Sequence, residues 1–498
     1  MANSFPPSAQ QIPIYNWFAT APVNESLVVE AFAGCGKTTT ICEALRHQSA
    51  DLVTLVCAFG KDIQLELERR LAGVPNVTVK TLHALGLSQV KRFWPDVKIS
   101  FGSDREKDLA ERVCGPTVPD AIKKLVATLC TKGRLCNPHA AKYDDLMTTA
   151  IEFECEPDEE WEEMGFDLAF VCQKALDAMI LAAAVKPVQT GIDGADMLFL
   201  PVRNMWLRKM FDRAVVDEAQ DMNACQLELV EGVCRGGLVV VGDSHQAIFG
   251  FAGADSGSLS RLQKKHNAKV LPLSKTYRCG RSIVDIAKGY VPEFEAADSN
   301  CDGLISTIMI EQLTAAAGPG DFILSRVNAP LVSIAMKLLR AGKRTRVAGQ
   351  DIGKGLVTLV NKLKGRSVPD LLAKIERWSA KEAARLQKQM DAATNGRRDT
   401  IQSKIDGIYD KAQMLITLTD GAPSVHEVTA RIESLFADKG EHMIVCSSVH
   451  KAKGKEADKV FILRDTLRAG GEEDNIAYVA ITRAKRELVW VKTKQEVA

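Results

Sequence analysis

Ala31-Phe32-Ala33-Gly34-Cys35-Gly36-Lys37-Thr38 follows the apolar run Leu27-Val28-Val29 and precedes Thr39-Thr40-Ile41-Cys42-Glu43-Ala44-Leu45, whose residue types suit a helix. The order predicts a strand, a phosphate loop and a helix. Gly34 and Gly36 let successive backbone N–H groups turn inward on an anion, the helix opening at Lys37 adds its positive dipole end, and Lys37 supplies a mobile ammonium. Ala33, Gly34, Cys35, Gly36, Lys37, Thr38 and Thr39 form the candidate phosphate-binding set, with Thr38 also the candidate Mg²⁺ ligand. Ala31 stands where the strict pattern has glycine, and glycine-rich loops also serve as plain strand-to-helix turns. The Lys-Thr pair and the buried-type strand before it favour a nucleoside triphosphate site.

At 498 residues the chain is too long for one core, and about three or four domains or sub-domains are expected. Charged residues make up 26% and the formal net charge is +1, so any nucleic-acid surface must be local. Thirteen cysteines are scattered singly, several inside apolar runs such as Cys42, Cys57 and Cys446, as expected of reduced thiols. The start, Met-Ala-Asn-Ser-Phe-Pro-Pro, has no basic and apolar leader, and no apolar run nears the ~20 residues that span a bilayer. A cytoplasmic protein without membrane contact is expected.

Before the loop, Pro7 to Trp17 reads as the entry to a short helix with Ser8 as N-cap. Gln10 is able there to present its amide to an adenine edge, or simply to face water. Leu52 to Phe59 is a near-continuous apolar run followed by a helical pattern, as in strands buried on both faces of a parallel sheet. Phe59 then falls at the carboxyl edge, where open α/β sheets bind ligands. Val77 to His83 reads as a further strand ending in a polar pair. From Leu87 to Ala195 helical periods replace strands; the acidic run Glu152 to Glu163 marks a solvated face ill-suited to phosphates.

The sheet resumes at Ala214-Val215-Val216 and delivers Asp217-Glu218-Ala219-Gln220-Asp221 to a strand end. Adjacent carboxylates there are costly unless they bind something: the first is placed to hold Mg²⁺ and the second to orient or deprotonate water. An acid-rich helix start is the alternative. Leu238 to Val241 then leads to Gln246, a candidate γ-phosphate sensor, and to Phe249 and Phe251, whose faces suit stacked bases or the core. A second set of strands is expected at Val270–Leu273, Phe322–Ser325, Met443–Cys446, Val460–Leu463 and Leu488–Val491, enough for a second parallel sheet. Arg366 to Phe436 is charged and helix-favouring, broken at Asn395-Gly396, and reads as a small helical insert. Lys388, Arg397, Arg398 and Lys404 lie in it on what reads as a solvated face.

In content and order these pieces resemble the UvrD/Rep-type helicases of superfamily 1, from Gln10 to the last strand apart from the two inserts. Gln10 is similar to the adenine-reading glutamine, and Ala31 to Thr38 to the family's phosphate loop, in which alanine at the first position is usual. Ala58-Phe59 and Thr81-Leu82-His83 resemble two single-strand-contacting motifs. Val216 to Asp221 resembles the metal and general-base motif, and Gly242-Asp243 with Gln246 to Asp255 the motif coupling ATP to DNA. Thr276-Tyr277-Arg278 resembles the motif in which tyrosine stacks on adenine and arginine reaches the γ-phosphate. Ser448 to Glu456 is similar to Thr-x-His-x-Ala-Lys-Gly-x-Glu, with Glu456 toward the ribose and Ser448 and His450 on the DNA side; Tyr478 to Lys485 is similar to the motif carrying a second arginine finger, Arg483. Three departures stand out: Phe251 and Ala252 replace tryptophan and arginine, and Ser448 replaces threonine.

The resemblance implies two RecA-like parallel-sheet domains in tandem, each with a mostly helical insert: 1–86 with 196–275, insert 87–195, then 276–365 with 436–498, insert 366–435. It implies ATP and Mg²⁺ (metal residues Thr38 and Asp217), with catalysis by Lys37, Asp217, Glu218, Gln246, Arg278 and Arg483 and with Tyr277 and Glu456 on the nucleotide. The expected activity is 3′→5′ movement on single-stranded DNA with duplex unwinding. A translocase that displaces proteins without unwinding, or a non-catalytic clamp on nucleic acid, are the alternatives. Single strands and single–double-strand junctions are the expected partners, with replication or repair proteins, for a monomer or weakly self-associating chain.

Overall fold

The computed structural model describes residues 6–493 apart from 101, 103, 154, 158, 188–189, 249–257, 392–394 and 438–441. The chain divides into two compact units, Met1–Ser274 and Lys275–Ala498. Each is a parallel α/β sheet with helices.

In the first unit the strands are β1 (Leu27–Ala31), β2 (Thr54–Ala58), β3 (Val77–Thr81), β4 (Arg213–Val216), β5 (Leu238–Gly242) and β6 (Lys269–Leu273), ordered β3-β2-β4-β5-β1-β6. All pairings are parallel. Strands β2, β4 and β5 are buried throughout, as continuous apolar runs covered on both faces must be. One expectation is corrected: Val270–Leu273 belongs to the first sheet, where Leu27 to Ala31 pair with Lys269 to Leu273. The strand lies at the sheet's edge with three of its five residues exposed, and an edge is where Pro272, lacking an N–H, is tolerated. Its pattern therefore carries no mark of which sheet it joins.

Between β3 and β4 the chain is helical, from Leu82–Phe93 to Gly194–Arg203. Thr81 starts the first of these helices by accepting a hydrogen bond from the Ala84 N–H, so His83 lies in a helix rather than in the strand expected there. The helical segment shares its core with the sheet: Ile122, Val126 and Leu176 belong to one cluster with Leu55 and Val216. Inside it lies a buried ionic knot in which Asp196 accepts from Arg105 at 2.9 Å and Arg134 at 2.7 Å, while Arg134 also holds Asp193.

The second unit opens with the pair β7 (Lys275–Thr276) and β8 (Glu295–Ala296). Its main sheet comprises β9 (Leu304–Met309), β10 (Phe322–Ser325), β11 (Thr345–Val347), β12 (Ile444–Ser448), β13 (Ala457–Leu463) and β14 (Ala484–Lys492), ordered β11-β12-β10-β13-β14-β9 and parallel throughout. Helices Val368–Asp391 and Asn395–Thr419 pack on each other, and Val425–Leu435 leads back to β12. Among the described residues no helix is long and apolar enough to cross a membrane.

Candidate active site

The phosphate loop leaves β1 and is tied at Phe32, whose N–H bonds the Leu273 carbonyl of β6 at 3.0 Å. Gly34 and Gly36 have φ of 70° and 76°, the left-handed region in which a side chain is strained, and Gly36 caps the helix Lys37–His47. The sequence places glycine where the backbone needs it. Ala33 and Cys35 are buried in the loop, whereas Thr39 is exposed and accepts from Arg70.

Strand β4 brings its two carboxylates to this loop. Lys37 Nζ lies 3.1 Å from Glu218 Oε2, and Thr38 Oγ1 donates to Asp217 Oδ2 at 3.0 Å. Burial alone would lower the Lys37 ammonium, yet Glu218, Asp243 and Asp217 carry it above its ordinary value. Asp217 is raised to about 6, first by burial and then by the charge of Glu218, against the pull of Lys37. A buried carboxylate held up in this way beside a threonine hydroxyl is a hard-oxygen donor pair that a divalent cation would satisfy. The chemistry of Thr38 and Asp217 therefore fits a divalent cation.

Around this pair the sequence reading missed a ring of supports. Gln220, fully buried, donates to Glu218 Oε2 at 2.7 Å and accepts from the Asp243 N–H at 3.1 Å; Gln246 donates to Asp243 Oδ2 at 2.6 Å. The acids were legible as acids, whereas Gln220 and Asp243 acquire their roles only through contacts made across two strand ends. Gln10 begins the helix Gln11–Thr20, and its amide is bonded at both atoms to Ser274, as donor at 2.8 Å and acceptor at 3.0 Å. Phe59 is half-buried against the core just past β2, Thr81 is engaged as a helix cap, and His83 is exposed. Phe249 and Phe251 lie outside the described residues.

The second unit gathers its own set. Tyr277 is 49% exposed directly after β7, a ring face available for stacking. Arg278 Nε lies 2.6 Å from Glu456 Oε2, and Lys485 holds Oε1 at 2.8 Å; against burial, the two cations keep Glu456 below its usual value. Arg483 is 1% exposed and donates to the Val479 and Lys455 carbonyls and to Thr482 Oγ1. Ser448 is buried where β12 ends, and His450 follows in the short helix Val449–Ala452. Burial first, and then Arg326, push His450 down to about 4.

A parallel sheet with a phosphate loop after β1 and a carboxylate pair after β4, bonded to each other, defines a RecA-like P-loop nucleotide-binding protein. Residues 15–267 match the UvrD/REP helicase N-terminal domain and residues 443–491 the UvrD-like helicase C-terminal domain. The chain belongs to the UvrD/Rep helicase family. Similar proteins include F-box DNA helicase protein 1 of Schizosaccharomyces pombe, 23% identical over 93% of this chain and 55% of that protein. F-box DNA helicase 1 of Gallus gallus is 25% identical over 93% of this chain and 47% of its own length. ATP-dependent DNA helicase UvrD2 of Mycobacterium tuberculosis is 25% identical over 92% of this chain and 75% of its own length. The chain spans about half the length of the two F-box helicases it matches.

Proposed function

We propose that this chain is an ATP-dependent DNA helicase that moves 3′→5′ on single-stranded DNA and unwinds duplex. The observation that carries the reading is the pairing of Lys37 with Glu218 and of Thr38 with Asp217, which unites the phosphate loop and the carboxylate pair. Lys37 is placed to exchange Glu218 for phosphate oxygens, which leaves the Glu218 carboxylate to take a proton from water. Thr38 and Asp217 would hold Mg²⁺, which when bound neutralises charge on the phosphates. Gln246 senses the terminal phosphate, and Tyr277, Arg278, Arg483 and Glu456 of the second unit serve the nucleotide's base, phosphates and ribose. Phe59, Thr81, His83, Phe249, Phe251, Ser448 and His450 are the proposed DNA contacts. The reading includes a cytoplasmic, reducing location, consistent with all thirteen cysteines being free thiols.

The test is strand displacement run beside translocation on single-stranded DNA, each with ATP and Mg²⁺. Unwinding together with translocation supports a helicase; translocation alone assigns a protein-displacing motor; strand binding without hydrolysis assigns a clamp. Removing Mg²⁺ with a chelator should abolish hydrolysis and leave the fold intact.

A further inference from the structure

We infer that Gln220 is a positioning residue: it ties the Glu218 carboxylate to the Asp243–Gln246 turn, so that base and phosphate sensor are set by one buried amide. The inference rests on the proposed role of Glu218 as general base. Gln220 sits in the single turn Ala219–Asp221 with its side chain fully buried, and both ends of its amide are used. Nε2 donates to Glu218 Oε2 at 2.7 Å, the same oxygen that Lys37 approaches at 3.1 Å. Oε1 accepts from the Asp243 N–H at 3.1 Å, and Asp243 in turn accepts from Gln246 Nε2 and the His245 N–H.

Two further features point to the same role. Glu218 has φ of 50°, a left-handed conformation that a non-glycine residue keeps only when its surroundings hold it. When phosphate draws Lys37 away, the Gln220 amide remains to hold that carboxylate. Strand β5 ends in Gly242, where a Cβ would lie 2.5 Å from Gln220 Oε1. The strand end is bare where the amide is seated.

Three single variants separate the parts. Gln220→Met keeps the volume but removes both bonds; Gln220→Glu keeps the acceptor for Asp243 and reaches Glu218 with a donor only when its carboxyl is protonated; Gly242→Ala displaces the amide without changing it. On single-stranded DNA each should lower kcat about 10²-fold, the loss expected when a reacting group is misplaced by about 1 Å. KM for ATP should stay near wild type, because Lys37 and Thr38 are untouched. Adding Gly242→Ala to Gln220→Ala should lower kcat no further, since the clashing amide is gone and the remaining close neighbour, the Leu259 methyl at 3.1 Å, has only to give by a few tenths of an ångström.

Glu218→Gln is the control. If Glu218→Gln loses hydrolysis while Gln220→Met, folded by thermal melt, retains wild-type kcat, the inference is overturned and the role of Glu218 stands. If Glu218→Gln itself hydrolyses normally, the base assignment fails instead. Equal losses in kcat and in ATP binding, or additive losses in the double variant, would assign Gln220 to fold maintenance and overturn the inference.

Discussion

Glu218 is the residue on which the proposed chemistry turns, and its neighbours give it a definite protonic task. Thr38 donates to Asp217, the proposed metal ligand, and the adjacent carboxylate, held by Lys37 and Gln220, is the one proposed to act on water. Glu218→Gln keeps volume and hydrogen bonding but removes the base, and hydrolysis should fall by roughly 10²–10⁴-fold. ATP affinity should survive, as a fluorescent-nucleotide titration would read; hydrolysis at the wild-type rate would move the base elsewhere. His450 permits a second test. Its folded-state pKa of about 4 lies below the ordinary 6.5, so the unfolded chain takes up the proton first as pH falls. The contribution is intact above pH 6.5 and is lost toward pH 4. Relative to His450→Gln, the wild type should lose up to about 3 kcal/mol across that window, measured by denaturant unfolding. A pH-independent difference would place the imidazole in water. At this scale the sequence exposes residues whose type alone suits the chemistry, such as Lys37, Thr38, Asp217 and Glu218. It hides Gln220, Asp243 and Ser274, whose roles come from partners that other strands deliver, and it does not reveal that Arg483 donates to carbonyls of its own unit.

Elements were legible where burial on both faces leaves an unbroken apolar run, as in β2, β4 and β5, and less so at an edge, where that demand relaxes: β3 and β6 were read as strands, but not which sheet β6 joins. Strand β9 has four exposed residues of six and β11 is three residues long, and neither carries a decisive pattern. The helices between β3 and β4 were legible as helices, but the force that fixes their arrangement was not. Arg105 and Arg134 carry no mark of burial in the sequence, yet they lie buried around Asp196, with Asp193 capping the helix that carries it. Burial opposes the Asp193 charge, and Arg134 overrides it and holds the carboxyl below its usual range. Arg134→Leu would leave Asp196 buried with half its partners, and the first unit should lose about 3–5 kcal/mol. Arg134→Leu with Asp196→Leu should recover part of that loss, because the fully buried Asp196 carboxylate is no longer left half-paired, while Asp193 keeps its bond from the backbone N–H of residue 196 and Arg105 keeps Asp108 at 3.7 Å. Chemical unfolding followed by tryptophan fluorescence measures both; a double variant as weak as the single one would show that packing, rather than charge burial, sets the penalty.

For the whole molecule the formal net charge is only +1, so the proposed DNA affinity has to come from particular contacts rather than from a general positive field. A salt dependence shallower than that of strongly basic DNA-binding proteins follows, with stacking on rings such as Phe59 contributing a part that salt does not screen. Direction of travel also belongs to this scale. A strand has chemically different ends, and a motor moves one way when the order in which it releases and regrips that strand is fixed by nucleotide binding and hydrolysis. The direction proposed for this chain is 3′→5′. A duplex with a 3′ single-stranded tail should therefore be unwound in the presence of ATP, and one with only a 5′ tail should not. Glu218→Gln supplies the control, because it should bind both substrates and open neither, separating strand capture from directed movement. Faster opening of the 5′-tailed duplex by the wild type would reverse the assigned polarity, while equal opening of both would mean that strand ends are melted passively.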